Sequence, residues 1–170
     1  MNLLPMLSAT GAGAAPTYVD DVFSTYLYTG NAFGQTITNA IDLAGKGGLV
    51  WIKPRSGSYG VYDHVLTDTA RGFTKQLSSS STSAEATSSE FVDQFNSGGF
   101  RVKADYRVNQ ATTNYVSWTF RKASKFFDVV TWTGDGTTSR SIAHSLGAAP
   151  GIIIVKRTDT ADSWYVYHVS

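Results

Sequence analysis

Residues 28–53 read YTGNAFGQTITNAIDLAGKGGLVWIK, and residues 132–156 read WTGDGTTSRSIAHSLGAAPGIIIVK. The two stretches follow one pattern. Residues 23–31 align with residues 127–135, ending in Tyr28-Thr29-Gly30-Asn31 and in Trp132-Thr133-Gly134-Asp135. Ile37 and Ile41 correspond to Ile142 and Leu146, with the same four-residue spacing. GLVWIK (48–53) corresponds to GIIIVK (151–156). Val61-Tyr62 matches Val166-Tyr167, and a histidine follows each within two residues, His64 and His168. The differences in length fall in Gly-rich loops, where extra residues cost little closure entropy. This many matches in order predict one strand–turn–strand–loop–strand unit built twice.

Composition agrees with strands. The chain has 16 Gly, 9 Tyr, 9 Phe and 4 Trp, with only 16% charged residues. That mixture suits β-structure with tight turns and is poor in helix formers. Strand-like runs fall at 22–28, 35–41, 48–53, 59–66, 91–95, 100–108 and 114–120. In NYVSWTF (114–120), Tyr115, Ser117 and Thr119 share one side and Val116, Trp118 and Phe120 the other. The near-continuous apolar run 48–53 is expected to be buried on both faces. SSSSTSAEATSSE (78–90) is too polar to bury and is expected to be a long exposed loop or a mobile excursion. No helical period is sustained. These features predict an all-β antiparallel sandwich. The expected organisation is an extended N-terminal docking arm (1–22), a β-sandwich (23–120), a basic flexible link (121–126) and the start of a second related unit (127–170). That second unit is expected to continue beyond residue 170.

Fourteen basic against thirteen acidic residues leave no electrostatic footprint for nucleic acid. The absence of cysteine excludes disulfides and thiolate metal sites. No apolar run reaches the roughly 18 residues of a membrane span, so no membrane insertion is expected. The opening MNLLPMLSATGAGAAPTY has no Lys or Arg and is interrupted by Pro5. It reads as an apolar arm docking on a partner rather than a signal peptide, with Leu3, Leu4, Met6, Leu7 and Tyr18 as its contact residues.

Catalytic patterns are missing. Gly57-Ser58-Tyr59-Gly60 has the wrong spacing for a nucleophile elbow. Metal-ligand spacings and phosphate loops do not occur, so neither metal nor cofactor is expected. The two glutamates, Glu85 and Glu90, flank the polar loop, and no pair of acids is nominated for glycoside cleavage. His144 stands where the first copy has Asn39, which predicts a turn role; His64 and His168 read as architecture. Trp51 aligns with Ile154 and Trp132 with Tyr28, so these tryptophans read as core filling. Tyr59, Tyr106 and Tyr115 lie nearer loops and strand ends and are the better surface or ligand aromatics.

VFSTYLYTGN, DTARG, FNSGGF, NYVSWTFRK (114–122), residues 145–156 and WYVYH (164–168) together resemble bacteriophage tail fibre and minor tail virion proteins. These carry lectin-like, concanavalin-type β-sandwich regions, and the resemblance covers residues 20–170. It implies a jelly-roll or lectin-like fold and a non-enzymatic structural component of the virion, assembled in the host cytoplasm. The N-terminal arm would attach to other phage tail subunits, the assembly would be a homotrimer, and a distal part would meet a host-surface receptor. The alternative from another class is a secreted or surface carbohydrate-binding module; a weaker third is a polysaccharide depolymerase.

Overall fold

The computed structural model describes residues 17–57 and 62–169. The chain runs through α1 (Val19–Val22), β1 (Phe23–Thr29), β2 (Gln35–Thr38), α2 (Leu43–Lys46), β3 (Gly48–Pro54) and β4 (Val65–Asp68). It continues through β5 (Lys75–Gln76), β6 (Ala86–Thr87), β7 (Val92–Asn96), β8 (Gly99–Val102), α3 (Tyr106–Asn109), β9 (Asn114–Arg121), β10 (Ile152–Lys156) and β11 (Trp164–His168). The helices are single turns, and every strand pair is antiparallel.

A four-stranded sheet of order β1-β9-β3-β4 packs on a three-stranded sheet of order β2-β8-β7. The chain is thus the antiparallel β-sandwich its composition predicts. β9 is the pivot of the larger sheet. It pairs with β1 from Phe23↔Phe120 to Thr29↔Asn114, and with β3 from Gly48↔Arg121 to Pro54↔Tyr115. The core between the sheets holds Ile37, Ile41, Leu43, Val50, Ile52, Val65, Phe91, Val92, Phe100, Val102, Val108 and Tyr115.

The alternation of β9 resolves against simple hydropathy. Tyr115, Ser117 and Thr119 are fully buried and face inward, while Trp118 and Phe120 lie half-exposed on the outer face. Small hydroxyl side chains let the sheets approach, and Thr119 accepts a bond from the Asn39 side chain at 2.8 Å. Outside, aromatic rings meet across strands: Phe23 with Phe120 at 4.9 Å and Trp51 with Trp118 edge-on at 5.7 Å. β3 is therefore buried on its inner face and half-buried on its outer one.

Several expected elements shift. The strand expected at 35–41 stops at Thr38, because Ala40 turns at φ 65° and Asn39 bonds the Ile41 amide; Ile37 and Ile41 still both reach the core. The run 100–108 is strand only to Val102; Asp105 then accepts from the Arg107 amide at 2.8 Å and starts α3. Of the strand expected at 59–66, residues 59–61 lie outside the described residues, 62–64 form no strand, and β4 runs over Val65–Asp68. The N-terminal arm expected over 1–22 lies outside the described residues up to 16, and its last turn, α1, already inserts Val22 into the interior. The first residue of β8 must be glycine: Gly99 has φ 146°, and a Cβ there would lie 2.0 Å from the Ile37 carbonyl oxygen of the neighbouring β2.

Candidate assembly surface

The second copy is built only in part. β10 and β11 form a hairpin with register Ile152↔His168 to Lys156↔Trp164, the counterpart of the β3–β4 register Leu49↔Asp68 to Ile52↔Val65. With Leu49 matched to Ile152, His168 falls on Asp68 and Tyr165 on Val65. One position further, Trp164 stands for His64. The matching of Val61-Tyr62 with Val166-Tyr167 is therefore corrected by five positions, to Leu66-Thr67, and that of His64 with His168 by four, to Asp68. Residue identity at a strand end carries less register information than the ladder itself. The turn position is repeated faithfully. Asn39 Oδ1 accepts from the Ile41 amide and His144 Nδ1 from the Leu146 amide, both at 3.2 Å.

Burial separates the two hairpins. Val50, Ile52, Val65 and Leu66 are buried, whereas Ile152, Ile153, Ile154, Tyr165, Val166 and Tyr167 are all exposed, Ile154 at 53% and Val166 at 62%. Residues 128–135, which match most of β1 and the turn after it, form no strand. Large exposed apolar patches are a feature of interaction sites in soluble proteins.

This open hairpin is held in place by the first unit. The Trp164 indole N–H donates to the carbonyls of Ser78 (3.1 Å) and Ser81 (3.0 Å). The Asp162 amide donates to the Thr82 carbonyl, and the Glu85 amide to that of Thr158, each at 2.9 Å. Of the two readings of the Ser-rich stretch, a long loop or a mobile excursion, the bonds favour the loop, and they make it a platform. It is polar because its backbone and hydroxyls make these bonds rather than because it is free. The basic link is likewise tied down. Lys122 donates to the Gly47 carbonyl, Ala123 and Phe127 exchange backbone bonds, and Asp128 accepts from Lys122 Nζ at 2.8 Å and from the Ser145 amide and hydroxyl at 2.7 and 2.8 Å. Burial alone would raise the Asp128 carboxyl, but these bonds from Lys122 and Ser145 outweigh it and bring it down to about 2.

The named aromatics divide. Tyr115 is no surface residue: it is fully buried, its hydroxyl donating to the Tyr106 carbonyl at 2.6 Å and accepting from the Gln110 amide at 2.7 Å. Tyr115 sits on the inner side of β9, a position that strand-end placement in sequence did not reveal. Tyr106 is 45% exposed, its ring against Tyr62 at 4.9 Å. Tyr18 is exposed beside α1. Tyr59, Leu3, Leu4, Met6 and Leu7 lie outside the described residues. Trp51 and Trp118 serve the outer sheet face, while Trp132 is 47% exposed, unlike its partly buried counterpart Tyr28, which packs against the core.

The acids beside the Ser-rich stretch sit in ion pairs. Arg71 binds Asp68 (2.6 Å), Glu85 (3.1 Å) and the Leu66 carbonyl (3.4 Å), and Glu90 pairs with Lys103 at 3.2 Å. The two glutamates thus answer to different cations. Among the described residues no group of three His, Asp or Glu is placed to hold a metal ion. One organising residue escaped sequence reading. Asn109 is fully buried; its Oδ1 accepts from the Asn31 amide (2.9 Å) and Gln35 Nε2 (2.7 Å), and its Nδ2 donates to Asn31 Oδ1 (3.0 Å) and to the Phe33 carbonyl. It freezes the β1–β2 loop that displays Phe33. An Asn inside a short basic helical turn carries no sequence signal for a contact 78 residues away.

Fold and surface together define an all-β sandwich protein that carries a second, partly assembled copy of its own hairpin. The chain belongs to the family described as Domain of unknown function (DUF7483), whose model matches residues 19–170 and so spans both copies. No curated protein and no solved structure matches it.

Proposed function

We propose that this chain is a structural component of a bacteriophage virion, the tail-attachment part of a tail fibre or related tail protein that serves host adsorption. The observation that carries the reading is the β10–β11 hairpin, apolar on both faces and held in a fixed position by Trp164 on the Ser78–Ser81 backbone. Natural sheets cover such faces and edges with neighbouring subunits. The tail resemblance of residues 20–170 supplies the setting, and an arm at residues 1–22 would provide attachment. On this reading the protein works as a homotrimer without catalysis.

The test is protein mass spectrometry and immunogold labelling of particles purified from cells that produce the protein. The chain is expected in the particles, at the tail, and cross-linked to other tail subunits. Its absence from intact particles would overturn the reading. A second reading, a carbohydrate-binding module, draws on Trp132, whose exposed ring could stack on a sugar. A glycan array on which the wild-type chain binds and Trp132→Ala does not would favour it.

A further inference from the structure

We infer that His64 is an acid-sensitive latch for the second unit: a proton on its ring loosens the Ser78–Ser81 segment and releases the β10–β11 hairpin from the sandwich. This latch does not depend on the virion setting. The Ser78–Ser81 segment is bonded on two sides. Toward the first unit, Leu66 and Leu77 exchange backbone bonds at 2.9 and 3.0 Å just before it. The His64 amide donates to Ser80 Oγ at 3.4 Å, and Ser80 Oγ donates to Asp63 Oδ1 at 2.9 Å. Toward the second unit, the Ser78 and Ser81 carbonyls hold the Trp164 indole. The hydroxyls of Ser78 and Ser80 meet at 3.0 Å and join the two sides. His64 and Trp164 are thus the two ends of one short run of bonds.

The His64 ring is the member of this run that a change of pH can alter. Its Nδ1 accepts from the Trp51 indole N–H at 2.7 Å. An indole nitrogen only donates, so a proton on Nδ1 sets two donors against each other and the ring must leave Trp51. The charged groups facing the ring are Lys53 of β3, which opposes the proton, and Asp63 beside it, which favours it. The Ser78–Ser81 segment brings hydroxyls and carbonyls but no charge. A charged ring that turns to Asp63 competes with Ser80 for that carboxylate, and the shift of residue 64 draws its amide from Ser80 Oγ. Ser80 then loses its hold on the first unit, and the carbonyls that grip Trp164 lose their support. Lys53, whose Nζ donates to the Tyr62 carbonyl at 2.5 Å, keeps the ring neutral until the solution is acid. Such coupling is reciprocal: a proton that favours the released hairpin is itself disfavoured by the docked one.

The test is NMR of the isotope-labelled 170-residue chain between pH 7.5 and 5, with amide exchange expressed as protection relative to the intrinsic rate at each pH. Protection of β10 and β11 is expected to fall about tenfold toward pH 5 while β3 and β9 keep theirs. The Trp51 and Trp164 indole N–H signals should titrate with one midpoint. His64→Gln retains an acceptor for Trp51 but takes no proton, so it should abolish the hairpin response; this separates His64 from His144 and His168, which lie in the second unit. Ser80→Ala should leave the Trp51 titration in place and remove that of Trp164. Trp164→Phe should raise the midpoint of the His64 ring signals. Protection of β3 and β9 reports whether each variant is folded, and Ser80→Ala carries the test if His64→Gln is not. A hairpin response that survives in the folded variants overturns the latch. So does a His64 midpoint that Trp164→Phe leaves unmoved, or a loss of protection in β9 equal to that in β10, which would mean that acid opens the whole chain.

Discussion

The indole N–H of Trp51 donates to Nδ1 of His64 across 2.7 Å, with the two rings edge-on at 5.6 Å. Accepting through Nδ1 requires the neutral ring with its proton on Nε2. Desolvation, and then the nearby Lys53, lower the His64 pKa below 6.5, with Asp63 opposing in part. The folded chain thus resists protonation that the unfolded chain accepts. Stability is complete above about pH 6.5 and falls as the pH drops through the lowered folded-state value. Urea midpoints should decline between pH 7.5 and 5.5 in the wild type, and His64→Gln should flatten that decline. An equal slope in both proteins would refute the assignment.

Asp128 gives a second, more acidic dependence. Its pKa of about 2, against 3.8 ordinarily, means that its contribution is present above the unfolded value and lost as the pH falls through about 2. The difference corresponds to roughly 2 kcal/mol. Asp128→Asn keeps the shape and part of the Ser145 bonding, but loses the Lys122 charge. Denaturant titrations at pH 7 should show a loss of about 1–2 kcal/mol, shrinking toward pH 2.

Asn109→Ala should be the costliest loop change. It leaves the Asn31 amide and the Phe33 carbonyl without this partner in a part-buried site, while Gln35 Nε2 keeps the Thr29 carbonyl. The expected loss is about 2–4 kcal/mol in chemical denaturation, with sharpened exchange of the 31–35 amides.

Trp164→Phe keeps a ring at the hairpin edge and removes its two carbonyl bonds. Net loss of about 1–2 kcal/mol should speed amide exchange in β10 and β11 roughly tenfold. The β1-β9-β3-β4 amides should stay as protected as before; a matching change there would mean that the hairpin and the sandwich open as one unit.

Ser117 points the other way. It is fully buried on the inner face of β9, and its hydroxyl finds no hydrogen-bond partner among the described residues. Ser117→Ala should raise stability by up to about 1 kcal/mol, because an unpaired buried hydroxyl costs more than the methyl group that replaces it. A clear loss of stability on thermal unfolding would show that the hydroxyl is bonded.

How much of this was legible in sequence depends on range. The β1, β3 and β9 runs were readable locally, β3 as a near-continuous apolar run and β1 and β9 as stretches rich in branched and aromatic residues. So was the turn role shared by Asn39 and His144, because both bond an amide two residues away. The burial of Tyr115 and the reach of Asn109 to Asn31 were not readable, since each is decided by which segment lies across from it. The platform role of the Ser-rich stretch was hidden for the same reason: free loops and loops bonded through their backbone share one composition.

The amino-acid order alone determined that the unit is written twice and that it is made of antiparallel strands. These depend on side-chain period and turn chemistry within a few residues. Tertiary structure decided what the second copy amounts to. Its hairpin forms, but residues 128–133 do not join a sheet, because β1 owes its ladder to β9, a strand some 85 residues later in the chain. The same apolar pattern is core in β3, where β9 and the facing sheet cover it, and open surface in β10, where no described strand does.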